Sequence, residues 1–204
     1  MTKTKNTGAR SLTQMSNRLR GTQVGFSILE VLIAIIILSF GMLGAVGMQA
    51  AALQSNKEAR YQAMATTFAR ELAEEMRGNH NIAINPDVAL NPFLMAFSDS
   101  DTIAPPASNC FTAACPDATA VAAWNIADWQ TRVRAALPSP RVTVCFDQAP
   151  FDGAGNAQWG CTNDGDATVV KIGWTRSNTA GTLEFANTSG APLVTVPLTA
   201  GSPE

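Results

Sequence analysis

The sequence predicts an α+β fold: one long N-terminal helix, membrane-spanning in its first half, packed on a small antiparallel β-sheet. Three observations predict it. No charged residue other than Glu30 lies between Arg20 and Lys57. No proline interrupts the stretch from Phe26 to Asn85. Beyond Pro138, apolar residues alternate in short runs separated by polar turns, which is the period of half-buried strands.

The chain has 204 residues, enough for one domain or at most two. Hydrophobic residues make up 46% and charged residues 15%, against about 25% charged in an ordinary soluble domain. This composition excludes a disordered chain, a collagen-like chain and a basic nucleic-acid binder. Charge is spread unevenly. Residues 1–25 carry Lys3, Lys5, Arg10, Arg18 and Arg20 and no acid, while the remainder carries nine basic and sixteen acidic residues. A basic end before an apolar run orients a membrane segment with the basic end in the cytoplasm. The rest of the chain is then expected outside. Four cysteines, all in the distal half, fit an oxidising compartment.

Val31 to Met48 is 18 residues without charge, near the ~20 a helix needs to cross a bilayer core. An ordinary secretory signal has an apolar core of about 7–15 residues, followed by a small-residue cleavage site. Ala50-Ala51-Ala52 would serve as such a site, so conventional secretion is the alternative. Two features favour a retained segment. The basic region meets the apolar region abruptly at Gly25-Phe26, and Glu30 lies five residues into the apolar side. A carboxylate at the centre of a membrane helix costs roughly 2.5–3.5 kcal/mol, and such residues usually have a partner.

The run Gly25-Phe26-Ser27-Ile28-Leu29-Glu30-Val31-Leu32-Ile33-Ala34 closely resembles the class III signal of type IV pilins and type II secretion pseudopilins. The resemblance implies that a prepilin peptidase cuts between Gly25 and Phe26 and that the new amino terminus of Phe26 is methylated. It also implies that Glu30, fifth in the mature chain, forms the assembly charge pair with an α-ammonium in a neighbouring subunit. Physical roles run parallel. Gly25 has no side chain, so the backbone can lie extended in a protease cleft. Glu30 is the nearest carboxylate able to neutralise an ammonium where unpaired charge is costly.

From Phe26 to Arg77 the composition suits a helix of about 78 Å at 1.5 Å per residue. Its second half therefore projects beyond a bilayer. There Tyr61, Met64, Phe68, Leu72 and Met76 recur at helical spacing and form a stripe that packs on something. Glu58, Glu71, Glu74 and Glu75 read as a solvated face. Gly41, Gly44 and Gly47 permit close helix approach in lipid. The phrases Gly41 to Gln49 and Leu72-Ala73-Glu74-Glu75-Met76-Arg77-Gly78-Asn79 resemble the PilV-type minor pilins, also called type IV pilus modification proteins. The likeness covers about residues 20–80. It implies a pilin-like head and a division into a cleaved basic leader (1–25), a transmembrane helix half (26–49) and a periplasmic or extracellular head (50–204).

Asn85-Pro86, Asn91-Pro92 and Pro105-Pro106 mark residues 79–118 as a long irregular connection. Thr119 to Leu137 is helical in pattern, with Val121, Trp124, Trp129, Val133 and Leu137 on one side and Pro138 as terminator. Strands are expected over Arg141–Phe146, Thr168–Trp174, Thr182–Ala186 and Leu193–Leu198. A sheet with one apolar face needs a cover, which the outer half of the long helix offers.

Four cysteines allow three pairings. The favoured one joins Cys110 to Cys115 as a local clamp and Cys145 to Cys161 across the loop between the first two strands. Zinc is the rival use, but Cys145 and Cys161 are too far apart in sequence for a tight ligand pair. His80 is the only histidine and reads as a residue just past a helix end. Asp147, Asp152, Asp164, Asp166 and Asn163 sit on one loop. Such groups can bind calcium, yet the order is not that of an EF-hand, and Asp-Gly pairs are turn formers first. No metal, cofactor or catalytic residue is expected, and no phosphate loop or basic aromatic surface points to nucleic acid. The expectation is therefore not an enzyme but a minor pilin of a bacterial type IV pilus, a single-pass inner-membrane protein and then a pilus subunit. Its partners would be the prepilin peptidase and other minor and major pilins. It would help initiate or modify assembly, and so support motility, adhesion or DNA uptake. A type II secretion pseudopilin is the alternative within the resemblance.

Overall fold

The computed structural model describes residues 25–177, 182–184 and 190–199. The basic leader before Gly25 lies outside the described residues. The chain clusters into two compact units, Met1–Val46 and Gly47–Glu204.

Helix α1 runs from Ile28 to Gly78, 51 residues. Ser27 starts it. Its carbonyl accepts from the Glu30 amide at 3.0 Å and the Val31 amide at 3.3 Å, and its hydroxyl accepts from the Leu29 amide at 3.3 Å. These bonds satisfy amides that a helix start leaves without intrahelical partners. In the first unit every described residue is exposed, among them Ile28, Leu32, Ile36 and Phe40. A helix apolar on all sides belongs in lipid or against other apolar surfaces. This one is long and apolar enough to span a membrane.

In the second unit the same helix buries one face. Ala65, Ala69, Leu72 and Met76 are fully buried, and Tyr61, Met64 and Phe68 are half-buried beside them. The buried line is thus rotated toward two alanines that the large-residue stripe does not include. The alanines share the fully buried face with Leu72 and Met76, while Tyr61, Met64 and Phe68 flank it. After Gly78 comes a single turn, α2 (His80–Ala83). Buried Asn91 then organises the backbone. Its amide donates to the carbonyls of Ala83 and Asn85 at 3.1 and 2.8 Å, and its carbonyl accepts from the Phe93 amide at 3.0 Å.

Strand β1 (Met95–Ser98) follows, within the region expected to be irregular. Four residues after a proline are too few to display alternation, and only pairing with β2 makes them a strand. Helix α3 spans Ala118–Ala136, with the Asp117 carboxylate accepting from the Ala120 amide at 2.7 Å as N-cap. Its buried face is Ala122, Ile126, Trp129 and Val133. Val121 is exposed and Trp124 half-buried. The expected face was wrong there because Trp124 and Trp129 are five residues apart, which rotates one away from the other.

Strands β2 (Arg141–Phe146), β3 (Thr168–Gly173) and β6 (Val194–Leu198) complete an antiparallel sheet of order β1-β2-β3-β6. Val142 faces Ile172 and Val144 faces Val170 across the β2–β3 pair. A separate two-stranded ribbon pairs β4 (Arg176–Ser177) with β5 (Leu183–Glu184), tied by an Arg176–Glu184 ion pair at 2.8 Å. The expected strand to Ala186 extends outside the described residues. Val142, Val144, Val170, Ile172 and Trp174 join the α1 and α3 faces in one core. The Trp129 indole donates to the Phe68 carbonyl at 3.1 Å and meets Phe68 and Phe97 edge-on.

Candidate functional site

Chemistry concentrates at the head of α1 and on the loop between β2 and β3. At the first, Gly25, Phe26 and Ser27 precede the helix, and Glu30 stands in its first turn. Among the described residues, no atom beyond its immediate chain neighbours lies within 4 Å of where a Gly25 side chain would begin. Phe26 is 81% exposed, and Glu30 is exposed. Among the described residues nothing covers the peptide bond joining Gly25 to Phe26, since both residues are exposed. A carboxylate at the start of a helix is also favoured by the macrodipole. Ser27, which caps the helix, carried no separate role in the sequence reading. A serine just before an apolar run is the signal for it.

Cys145 is bonded to Cys161 and Cys110 to Cys115, so no cysteine is free. The first bridge lies against an ion pair that sequence reasoning missed. Lys171, in β3, and Asp147, just past β2, are both fully buried, with Nζ to Oδ2 at 2.5 Å. The ammonium also donates to the Gly160 carbonyl. The other Asp147 oxygen accepts from the amides of Ala149 at 3.0 Å and Thr162 at 3.4 Å. Burial pushes the Asp147 carboxyl up, but the Lys171 ammonium and these amides outweigh it and hold it below the usual carboxylate range.

These contacts change the reading of the acidic loop. Asp147 is spent on Lys171. Asp152 closes a turn, accepting from the amides of Ala154 and Asn156 and from the Asn156 side chain. The Asn156 side chain, then its backbone amide, holds Asp152 below its ordinary value. Asn163 and Gly165 adopt left-handed conformations that reverse the chain. Asp147, Cys145 and Cys161 are the one cluster of metal-ligand types among the described residues. Its sulfurs are joined to each other and its carboxylate is paired.

The glutamates of α1 are more than a solvated face. Glu58 accepts from the Trp174 indole at 3.3 Å, Glu75 from the Asn125 amide at 2.7 Å, and Glu71 pairs in two-pronged fashion with Arg132. Glu74 bonds within its own helix, to Arg77. A groove of about 760 Å³ in the second unit lies beside Glu58 and Tyr61 and is lined across by Thr175, Arg176 and Glu184. Of its charged groups, Glu58, Arg176 and Glu184 are held in the contacts already described, and Lys57 is exposed.

No family model, curated protein or solved structure matches the chain.

Proposed function

We propose that this chain is a minor pilin of a bacterial type IV pilus, of the PilV kind. It is inserted in the inner membrane, cut between Gly25 and Phe26 by a prepilin peptidase, methylated at Phe26 and assembled with other minor and major pilins. The observation that carries this reading is the ordered boundary Gly25-Phe26-Ser27-Ile28-Leu29-Glu30, set at the head of a helix whose first stretch, to Val46, exposes its apolar side chains on every side.

The physical logic runs from that boundary. A helix with no polar face is stable in lipid and can leave it only for another apolar environment. Packing of like helices in a filament supplies one. The cut creates an α-ammonium at Phe26, and Glu30 is the single carboxylate of the apolar stretch. Docking that pairs a new ammonium with a carboxylate already in place removes two uncompensated charges at once. Helping to start or modify the filament follows from this role, and motility, adhesion or DNA uptake are indirect consequences.

The test is the mature amino terminus of protein purified from membranes. Mass spectrometry is expected to find a chain beginning at Phe26 with one added methyl group. A start near Leu53 overturns the reading in favour of conventional secretion. Recovery of the same chain in sheared pili separates the pilus from a type II secretion system.

A further inference from the structure

Strand β3 is buried on both faces. Val170 and Ile172 point into the core, so Val169 and Lys171 point the other way. The loop of residues 147–167 covers them. Cys145 precedes Asp147 by two residues, and Gly160 directly precedes Cys161. The two ends of the disulfide therefore carry the two groups that hold the Lys171 ammonium. We propose that the Cys145–Cys161 disulfide and the Lys171–Asp147 pair form a redox-operated latch. Oxidation of the two thiols closes the loop over the outer face of β3, and reduction releases it by letting Lys171 reach water.

The closing step balances as a disulfide exchange. One cysteine thiolate attacks a sulfur of an external protein disulfide, forming a mixed disulfide and expelling a thiolate. The second cysteine thiolate then attacks the protein sulfur of that mixed bond and completes Cys145–Cys161. Two electrons pass to the external partner, which leaves as a dithiol carrying the two protons the cysteines lost. Opening is the reverse, driven by a dithiol reductant.

The energetics favour switching of the loop. The Lys171 ammonium and Asp147 carboxylate have each lost their hydration, and only contacts made in the closed loop, to each other, to the Gly160 carbonyl and to the Ala149 and Thr162 amides, make up for that hydration. The crosslink, closing a sequence separation of 16 residues, removes the open conformations that would restore it. The remaining anchors are weaker. Arg141 lies over the Trp159 ring at 4.2 Å, and the Trp159 indole donates to the Gly190 carbonyl at 2.7 Å, both solvent-accessible. This latch is independent of filament assembly.

The experiment uses the full chain in detergent micelles, with and without dithiothreitol, under a brief pulse of acetic anhydride. Lys57 is exposed and serves as the internal reference. In the oxidised protein Lys171 is expected to react far more slowly than Lys57. Reduction should raise its relative labelling by about a hundredfold, the scale set by the lost loop constraint. Amide exchange across Ala122–Val133 of α3 should stay slow. The amides of Gln158 and Asn163, bonded to Pro150 and Phe146, should exchange faster. In Asp147→Asn/Lys171→Met those two amides should keep their protection after reduction, because neither buried charge is left to hydrate. The variant Cys110→Ser/Cys115→Ser should respond like wild type. Unchanged Lys171 labelling on reduction overturns the latch. So does loss of α3 protection, equal loosening of Asp147→Asn/Lys171→Met, or loss of the response in the Cys110/Cys115 variant.

Discussion

Leu38 and Leu72 stand in one continuous helix, yet they live under different rules. Leu38 is 59% exposed in a stretch apolar on every side, whereas Leu72 is fully buried on one face of a stretch whose other face is charged. Backbone propensity carries the helix through both, since neither stretch contains proline. What differs is the solvent each was written for. The first stretch has apolar groups in every direction and one carboxylate. The second divides its surface, and even its acids reach across to Trp174, Arg132 and Asn125. Helix formation is thus a local property here, while the identity of the partner surface is not.

The largest test of that contrast is the same substitution made twice. Leu72→Ala should destabilise the second unit by about 2–5 kcal/mol, the cost of a core cavity. Leu38→Ala should leave urea unfolding of that unit within about 0.5 kcal/mol of wild type. Equal effects, measured by hydrogen exchange in α3, would erase the distinction between the stretches.

Acid should find the buried pair next. The Asp147 carboxyl is lowered in the folded protein, so its contribution is complete above the ordinary carboxylate value, near pH 4. It is lost as pH falls through the lowered value. The double variant Asp147→Asn/Lys171→Met should lack that component, giving a shallower decline below about pH 4 than wild type. Parallel acid-unfolding curves would remove Asp147 from the account.

Smaller again is the tether between α1 and α3. Arg132 and Glu71 are only partly covered, so Glu71→Ala should cost about 1 kcal/mol or less, and less in high salt. A loss of several kcal/mol in urea titration would mean the pair is desolvated in a way its exposure does not indicate. Glu30→Gln should change the stability of the second unit least of all, because Glu30 belongs to the first unit and is exposed there. Processing at Gly25 should persist, while incorporation into sheared filaments should fall. Wild-type incorporation would show that charge pairing at Glu30 does not recruit the subunit.

Much of the architecture was legible because it is local. The proline-free run, the absence of charge from Val31 to Met48 and the alternation in Arg141–Phe146 and Thr168–Trp174 each declare themselves within a few residues. The rest depended on distant partners. Strand β1 exists through pairing of Met95 with Val144 and Phe97 with Val142. Lys171 looked like an ordinary outward position of an alternating strand, and Asp147 like one acid among several on a loop. A lysine inside the otherwise apolar Val169–Ile172 run was the available signal, but its counter-charge is 24 residues away.

By itself the sequence determined the long helix, its apolar first stretch, the boundary at Gly25-Phe26 with Glu30 beyond it, and the two central strands. Helical hydrogen bonds, continuous hydropathy and two-residue alternation are all set by near neighbours in the chain. Only the tertiary structure decided that Ala65 and Ala69 join Leu72 and Met76 on the fully buried face of the helix. It alone decided that β1 belongs to the sheet, and that the loop of residues 147–167 folds over β3 with Lys171 and Asp147 sealed beneath. Those outcomes depend on which surfaces exclude water from which, and that is settled when segments far apart in sequence meet.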